Sequence, residues 1–157
     1  MTFKSVMEKA KIYRLIATAG GLGYFPVASG TVGSLAGLVL VLFLHKFLFM
    51  YIVFFILLFF FGVIASGEVS KETGVKDPYI VVIDEFACIF LAFLLVPITI
   101  PTVITGFILY RIIDIVKVYP MKSAEDLTGG WGIMLDDFIG AVYTNLILQI
   151  LIFFNVF

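Results

Sequence analysis

The hydrophobic pattern divides the chain into long apolar stretches separated by short polar or glycine-rich connectors. Phe47 to Ser66 runs twenty residues without a charge. At 1.5 Å per helical residue that covers about 30 Å of hydrocarbon, and so predicts a membrane-spanning helix over 47–66. Ile80 to Val96 is apolar apart from Asp84 and Glu85, Thr102 to Val118 is apolar until Arg111, and Phe138 to Phe157 closes the chain. These stretches predict spans over 80–96, 102–118 and 138–157. A shorter stretch, 32–44, precedes His45 and Lys46; it fits a short span, a tilted helix with thinned lipid, or a re-entrant segment. Punctuation agrees: Gly74 reads as a helix stop, Asp77-Pro78 as a capped helix start, and Pro97 and Pro101 bracket a tight turn.

The first nineteen residues read differently. Phe3, Met7, Ala10, Tyr13 and Ala17 recur on one helical face with cations elsewhere, predicting an amphipathic helix lying on the membrane surface over 1–19. Lys4, Glu8, Lys9, Lys11 and Arg14 interrupt any signal-peptide h-region. A glycine-rich loop over 20–34 follows. The expected architecture is an all-α integral membrane protein, a small bundle of four to five transmembrane helices forming one domain over 1–157.

Composition supports that class. Hydrophobic residues make up 62% of the chain, well above the 45–50% of soluble domains, and only 13% are charged. A net charge of −1 supplies no basic field for nucleic acid. One cysteine forms no internal disulfide, and no Cys/His cluster points to zinc.

Charge then sets orientation. With five crossings, Lys4, Lys9, Lys11, Arg14, Lys71, Lys76, Arg111, Lys117 and Lys122 fall on one side and Lys46 alone on the other. The positive-inside rule predicts a cytoplasmic N-terminus and an outer C-terminus. Asp77, Asp84, Glu85, Asp114, Asp136 and Asp137 then share the cytoplasmic layer.

Carboxylates gathered from separate helices suit a hard divalent cation such as magnesium. Arg111, Asp114 and Lys117, spaced by three, are expected on one helical arc, where the cations would suit phosphate. The segment GGLGYFPVASGTVGSL, Gly20 to Leu35, matches no nucleotide-binding spacing, yet its amides and hydroxyls resemble an anion site at the start of a helix after Gly33. Duller readings compete. Asp136 could cap the last helix, Arg111 and Asp114 could be a structural ion pair, and the glycines a linker. His45 reads as an outer-interface residue and Cys88 as packing. A small ion-coupled transporter would also gather carboxylates, but near the midplane and with paired repeats.

The segments FPVASGTVGSL, DPYIVVIDEF, YRIIDIVKVYP and GGWGIMLDD, in that order, resemble the phosphatidylglycerophosphatase A family. The likeness covers roughly residues 20 to 145. It departs from the usual pattern at Ser29, Val118 and Cys88, none of which removes an ionisable group. The resemblance implies a bacterial inner-membrane protein, multi-pass with its active site facing the cytoplasm. It further implies that magnesium helps remove the terminal phosphate of an anionic phospholipid, phosphatidylglycerophosphate, giving phosphatidylglycerol. On that reading Asp84, Glu85, Asp136 and Asp137 hold the metal, with Asp114 as a further candidate, and Asp84 or Asp137 acts as general base. Arg111, Lys117, Gly30, Thr31, Gly33 and Ser34 face the phosphate, and Gly129, Gly130, Gly132 and Met134 complete the last motif. The catalytic set is then Asp84, Glu85, Arg111, Asp114, Lys117, Asp136 and Asp137.

Overall fold

The computed structural model describes residues 3–157, with side chains from Met7 onward; Met1, Thr2 and the side chains of Phe3 and Lys4, assigned above to the first helix, lie outside the described residues. The described residues form helices and no strand. In chain order these are α1 (Phe3–Ala17), α2 (Ser29–Leu44), α3 (Leu48–Thr73), α4 (Ile83–Ala92), α5 (Ile100–Val116), α6 (Met121–Glu125) and α7 (Gly130–Phe153). Among the described residues, α3 and α7 are long and apolar enough to cross a membrane.

Connectors sort to two poles. At one pole Arg14 pairs with Glu72 at 2.9 Å, the Ala17 carbonyl accepts from the Val82 amide, and Ser29 donates to the Tyr79 carbonyl at 3.1 Å. At the other, Asn145 donates to the Ala92 and Leu94 carbonyls and Gln149 to Leu95. The connector between α4 and α5 lies there. It makes the turn expected between Pro97 and Pro101 and ends in a capping box between Thr99 and Thr102 with Pro101 in the first turn.

Helix α4 is the axis of the bundle, packed by α2, α3 and α7. Apolar on nearly every side, it buries Ile83, Ala87, Cys88, Ile89, Phe90 and Ala92. Its ten residues span about 15 Å, so the segment expected to span over 80–96 is helical only in its middle. Residues Ile80 to Val82 are non-helical yet buried, which apolar surroundings tolerate only where protein wraps the backbone. The Asp77-Pro78 pair therefore starts no helix; α4 begins at Ile83 with Val82 at its cap. Gly74 does stop α3, in the left-handed conformation at φ 69°.

Glycines let the helices approach. A Cβ on Gly37 of α2 would overlap the Phe86 carbonyl of α4, and one on Gly130 of α7 would overlap the Val63 carbonyl of α3. Both obstacles are backbone, which cannot swing aside. Gly130→Ala is therefore expected to destabilise the protein by about 1–3 kcal/mol or more, the range for overpacking. The check is the thermal midpoint in detergent, where an unchanged value would contradict this packing.

The face of α1 differs from the expectation. Ala17 is buried and Tyr13 packs on the core, so the C-terminal part of the predicted apolar face is turned to protein, whereas Met7 of the same face is exposed. Among the described side chains of this helix, Met7, Ile12 and Leu15 are the large apolar ones left exposed. Within the phenylalanine-rich run of α3, Phe59 is buried against Trp131 and Phe138.

Candidate active site

Four helices deliver polar side chains to the first pole. The first turn of α4 carries Asp84 and Glu85, where unpaired helix amides favour negative charge. Helix α7 starts at Gly130, well before the expected 138, so Asp136 and Asp137 sit about two turns inside it rather than at its start. Asp136 is thus no helix cap; Gly129 holds that position.

Asp84, Glu85 and Asp137 each offer a carboxylate oxygen, and these oxygens lie within 4.8 Å of one another. Asp84 is 7% exposed and Asp137 3%. Tyr110 of α5 donates its hydroxyl to Asp137 Oδ1 at 3.2 Å. The guanidinium of Arg111 reaches Asp114 Oδ2 at 3.0 Å, donates to Ser34 Oγ at 3.1 Å, and stands 3.9 Å from Glu85 Oε1. Ser34 in turn donates to the Gly30 carbonyl at 2.9 Å. Asp84, Glu85, Arg111, Ser29 and Gly30 line an open cavity of about 690 Å³, with Tyr24, Phe25 and Tyr79 among its other walls.

The adjacent aspartates part company. Successive helical residues point about 100° apart, and in α7 Asp136 turns to Lys117 while Asp137 turns to Tyr110. Asp136 Oδ2 accepts from Lys117 Nζ at 2.7 Å, and the same ammonium pairs with Glu125. Lys117 leaves the arc of Arg111 and Asp114 because α5 ends at Val116 and Lys117 takes the left-handed conformation at φ 50°. Asp136 and Glu125 line a separate cavity of about 170 Å³ with Lys76, Asp77 and Asp126.

Asp77 lines both cavities. It is exposed overall, at the rim between the two. Partial withdrawal from water, with Glu125 and Asp114 adding, holds its carboxyl above the usual range, against the lowering pull of Lys117. The glycine segment also resolves differently. Helix α2 begins at Ser29 rather than after Gly33, so its unbonded first-turn amides are those of Ser29, Gly30 and Thr31. Gly33 packs its α-carbon on Val82, and a Cβ on Gly30 would overlap the Glu85 carboxylate.

Buried polar side chains normally find partners. Among the described residues, the buried side-chain atoms without one are Asp84 Oδ1, Glu85 Oε2, Arg111 Nε and Asp136 Oδ1. All four belong to this pole. Tyr110 and Glu125 are site residues that the motif spacing did not single out. Tyr110 was readable as the neighbour of Arg111, whereas nothing local marks Glu125 before α6 folds back on α7.

Buried carboxylates with unpartnered oxygens stand beside one guanidinium at the polar pole of an apolar helical bundle, an arrangement suited to chemistry on an anionic phosphate ester. The sequence pattern of phosphatidylglycerophosphatase A matches residues 15–152, and the chain belongs to that family. It is a phosphatase, a phosphoric monoester hydrolase. It is 32% identical over 154 residues to the phosphatidylglycerophosphatase A of Haemophilus influenzae, covering 94% of each chain. The Escherichia coli phosphatidylglycerophosphatase A is 32% identical over 144 residues, 88% of this chain and 83% of that one. A Bacteroides thetaiotaomicron protein named provisionally as a phosphatidylinositol-3-phosphatase is 32% identical over 145 residues, 87% of this chain and 91% of its own. No solved structure matches the chain.

Proposed function

We propose that the chain hydrolyses the terminal phosphate of phosphatidylglycerophosphate, releasing phosphatidylglycerol and inorganic phosphate, with magnesium held by Asp84, Glu85 and Asp137. The observation that carries the reading is the pair of unpartnered oxygens, Asp84 Oδ1 and Glu85 Oε2, inside a carboxylate cluster open to a cavity. With Asp114, four carboxylates face one guanidinium, an excess of negative charge that favours a hard cation with oxygen ligands. A bound magnesium ion would supply Lewis acidity to the phosphoryl group and lower the pKa of water.

The chain's own residues do the rest. Arg111, with Nε–H lacking an acceptor in the protein, donates to phosphoryl oxygens and offsets their charge. The Gly30 and Thr31 amides add donors at the start of α2. Asp84 or Asp137 accepts the proton of the attacking water. As the water oxygen bonds to phosphorus, the bond between phosphorus and the glycerol oxygen breaks, and that oxygen takes up the proton the carboxylate received, directly or through water in the open cavity. Tyr110 fixes the orientation of Asp137 through its 3.2 Å hydrogen bond.

On this reading α2, α3, α5 and α7 cross the membrane, and α4 with its buried irregular ends makes the fifth passage. The arrangement supports a multi-pass protein of the bacterial inner membrane with its site at the cytoplasmic headgroups, because the cation-rich connectors share the pole of the site.

The test is phosphate release by purified protein from phosphatidylglycerophosphate in mixed micelles. Release is expected with magnesium, to stop on chelation by EDTA and to return when magnesium is restored. No release under any condition rejects the hydrolase, release indifferent to EDTA rejects the metal, and gradient-driven uptake without hydrolysis favours a carrier. Gly30→Ala is expected to cut activity by about 10²-fold with little change in thermal midpoint, since a displaced Glu85 carboxylate misaligns the cluster without unpacking a helix.

A further inference from the structure

The larger cavity has two unlike ends. Asp84, Glu85, Arg111 and the start of α2 make its inner end, which is the part the reaction described above uses. Tyr24, Phe25 and Tyr79 line it as well, and that reaction does not use them. These three side chains are 57%, 54% and 81% exposed, broad apolar surfaces turned outward beside a cluster of charge. We infer that they form the lipid-recognition rim of the site: they hold the glycerol-ester segment of a diacyl phosphate monoester while its phosphate reaches Arg111, and so select a lipid over a soluble phosphate ester.

The cavity is large for a phosphate alone. Its volume of about 690 Å³ falls within the range of about 300–1,000 Å³ typical of sites that enclose whole small molecules, so a headgroup has room between the carboxylates and the rings. Position favours a lipid too. The rings stand at the pole of the cation-rich connectors, and tyrosine suits a membrane surface because its face is apolar and its tip polar. A soluble ester has no apolar part to cover them, whereas a phospholipid carries its ester-linked chains on the glycerol beside its phosphate.

Backbone contacts fix the rim. Tyr24 ends a 3-10 turn over Leu22–Tyr24, and the Phe25 amide donates back to the Leu22 carbonyl. A Cβ on Gly23 would overlap the Ile80 carbonyl, so only glycine lets this turn seat against the segment before α4. Ser29 donates to the Tyr79 carbonyl at 3.1 Å and ties the two segments together again. Ala28 is held left-handed at φ 51°, which a residue with a side chain adopts where its surroundings impose it. Rings carried on backbone held in this way lose less freedom when a ligand covers them.

The inference deepens the function proposed above and rests on it for the place of the phosphate. Its test is binding without turnover, by the purified full-length chain in detergent with magnesium. Two phosphonate probes, with carbon in place of the ester oxygen, resist hydrolysis: the diacyl analogue of phosphatidic acid and its deacylated counterpart. Phe25→Ala and Tyr79→Ala are each expected to weaken binding of the diacyl probe by at least about tenfold and to change that of the deacylated probe by less than about twofold. Tyr79→Phe keeps the ring and is expected to keep the affinity. Because the rings are exposed, all three variants should melt as the wild type does. Unchanged affinity for the diacyl probe in both alanine variants, an equal loss for the two probes, or no binding of the diacyl probe by the wild type overturns the inference. Should the alanine variants lose the diacyl probe selectively while the wild type releases no phosphate from phosphatidylglycerophosphate, the hydrolase is rejected and the rim stands.

Discussion

Asp137→Asn is expected to lower phosphate release by at least about 10³-fold, equivalent to about 4 kcal/mol of transition-state stabilisation. Asparagine has nearly the same shape, and its amide oxygen can keep the hydrogen bond from Tyr110 that Asp137 Oδ1 accepts at 3.2 Å. What it removes is the charge. In the folded protein that charge is buried within 4.8 Å of Asp84 and Glu85 carboxylate oxygens, an arrangement that costs stability unless a cation sits among them. The variant should therefore lose catalysis and magnesium affinity while its thermal midpoint in EDTA stays level or rises. Measuring both separates the proposed role from simple misfolding, since a variant that is inactive and also unstable in EDTA would point to a structural use of Asp137. Tyr110→Phe acts only through orientation and should cost about tenfold.

Arg111→Lys should fail to restore function, with kcat/KM down by about 10²- to 10³-fold, comparable to losing a preorganised donor to developing charge. Nη1 of the guanidinium alone meets Asp114 at 3.0 Å and Ser34 at 3.1 Å and faces Glu85 at 3.9 Å, while Nε–H has no partner in the protein. A lysine ammonium could stand in for that one nitrogen, but it is a point charge on a flexible stem and lacks the planar fork whose remaining N–H groups would meet phosphoryl oxygens. Arg111→Ala carries an additional penalty, because Asp114 and Glu85 would be left buried without their cation, about 3–5 kcal/mol for breaking such a pair. The comparison is the informative measurement: Lys folded and inactive, Ala inactive and less stable. Near wild-type turnover by the lysine variant would remove Arg111 from phosphate binding.

Much of the site was legible as spacing. The D-E pair, the R-x-x-D segment and the second aspartate of the last motif do meet, and four polar segments do share one pole. Where the reading stopped short, local signals were overridden by packing. Gly129, Gly130 and Gly132 read as loop because glycine is a poor helix former. Yet α7 starts at Gly130, since that position must lie against the backbone of α3. That earlier start places the aspartate pair inside a helix, where neighbours diverge, and so divides Asp136 from Asp137. Lys117 followed the helical arc of Arg111 and Asp114 only as long as the helix continued, and the turn at Lys117 ends it.

What the sequence determined by itself is the apolar class, the existence of the long apolar helices α3 and α7, the helix stop at Gly74, the turn between Pro97 and Pro101, and the inventory of charged groups at one end. These follow from hydrophobic period and from backbone restrictions, which are properties of neighbouring residues. Tertiary structure decided which apolar face of α1 meets protein, which carboxylates share a cavity, and which cation serves which acid. In an apolar surrounding a lipid-facing and a protein-facing side chain have the same composition, so periodicity finds a face without saying what covers it. Only the approach of distant helices, permitted where glycine removes a side chain, sets the distances on which chemistry depends.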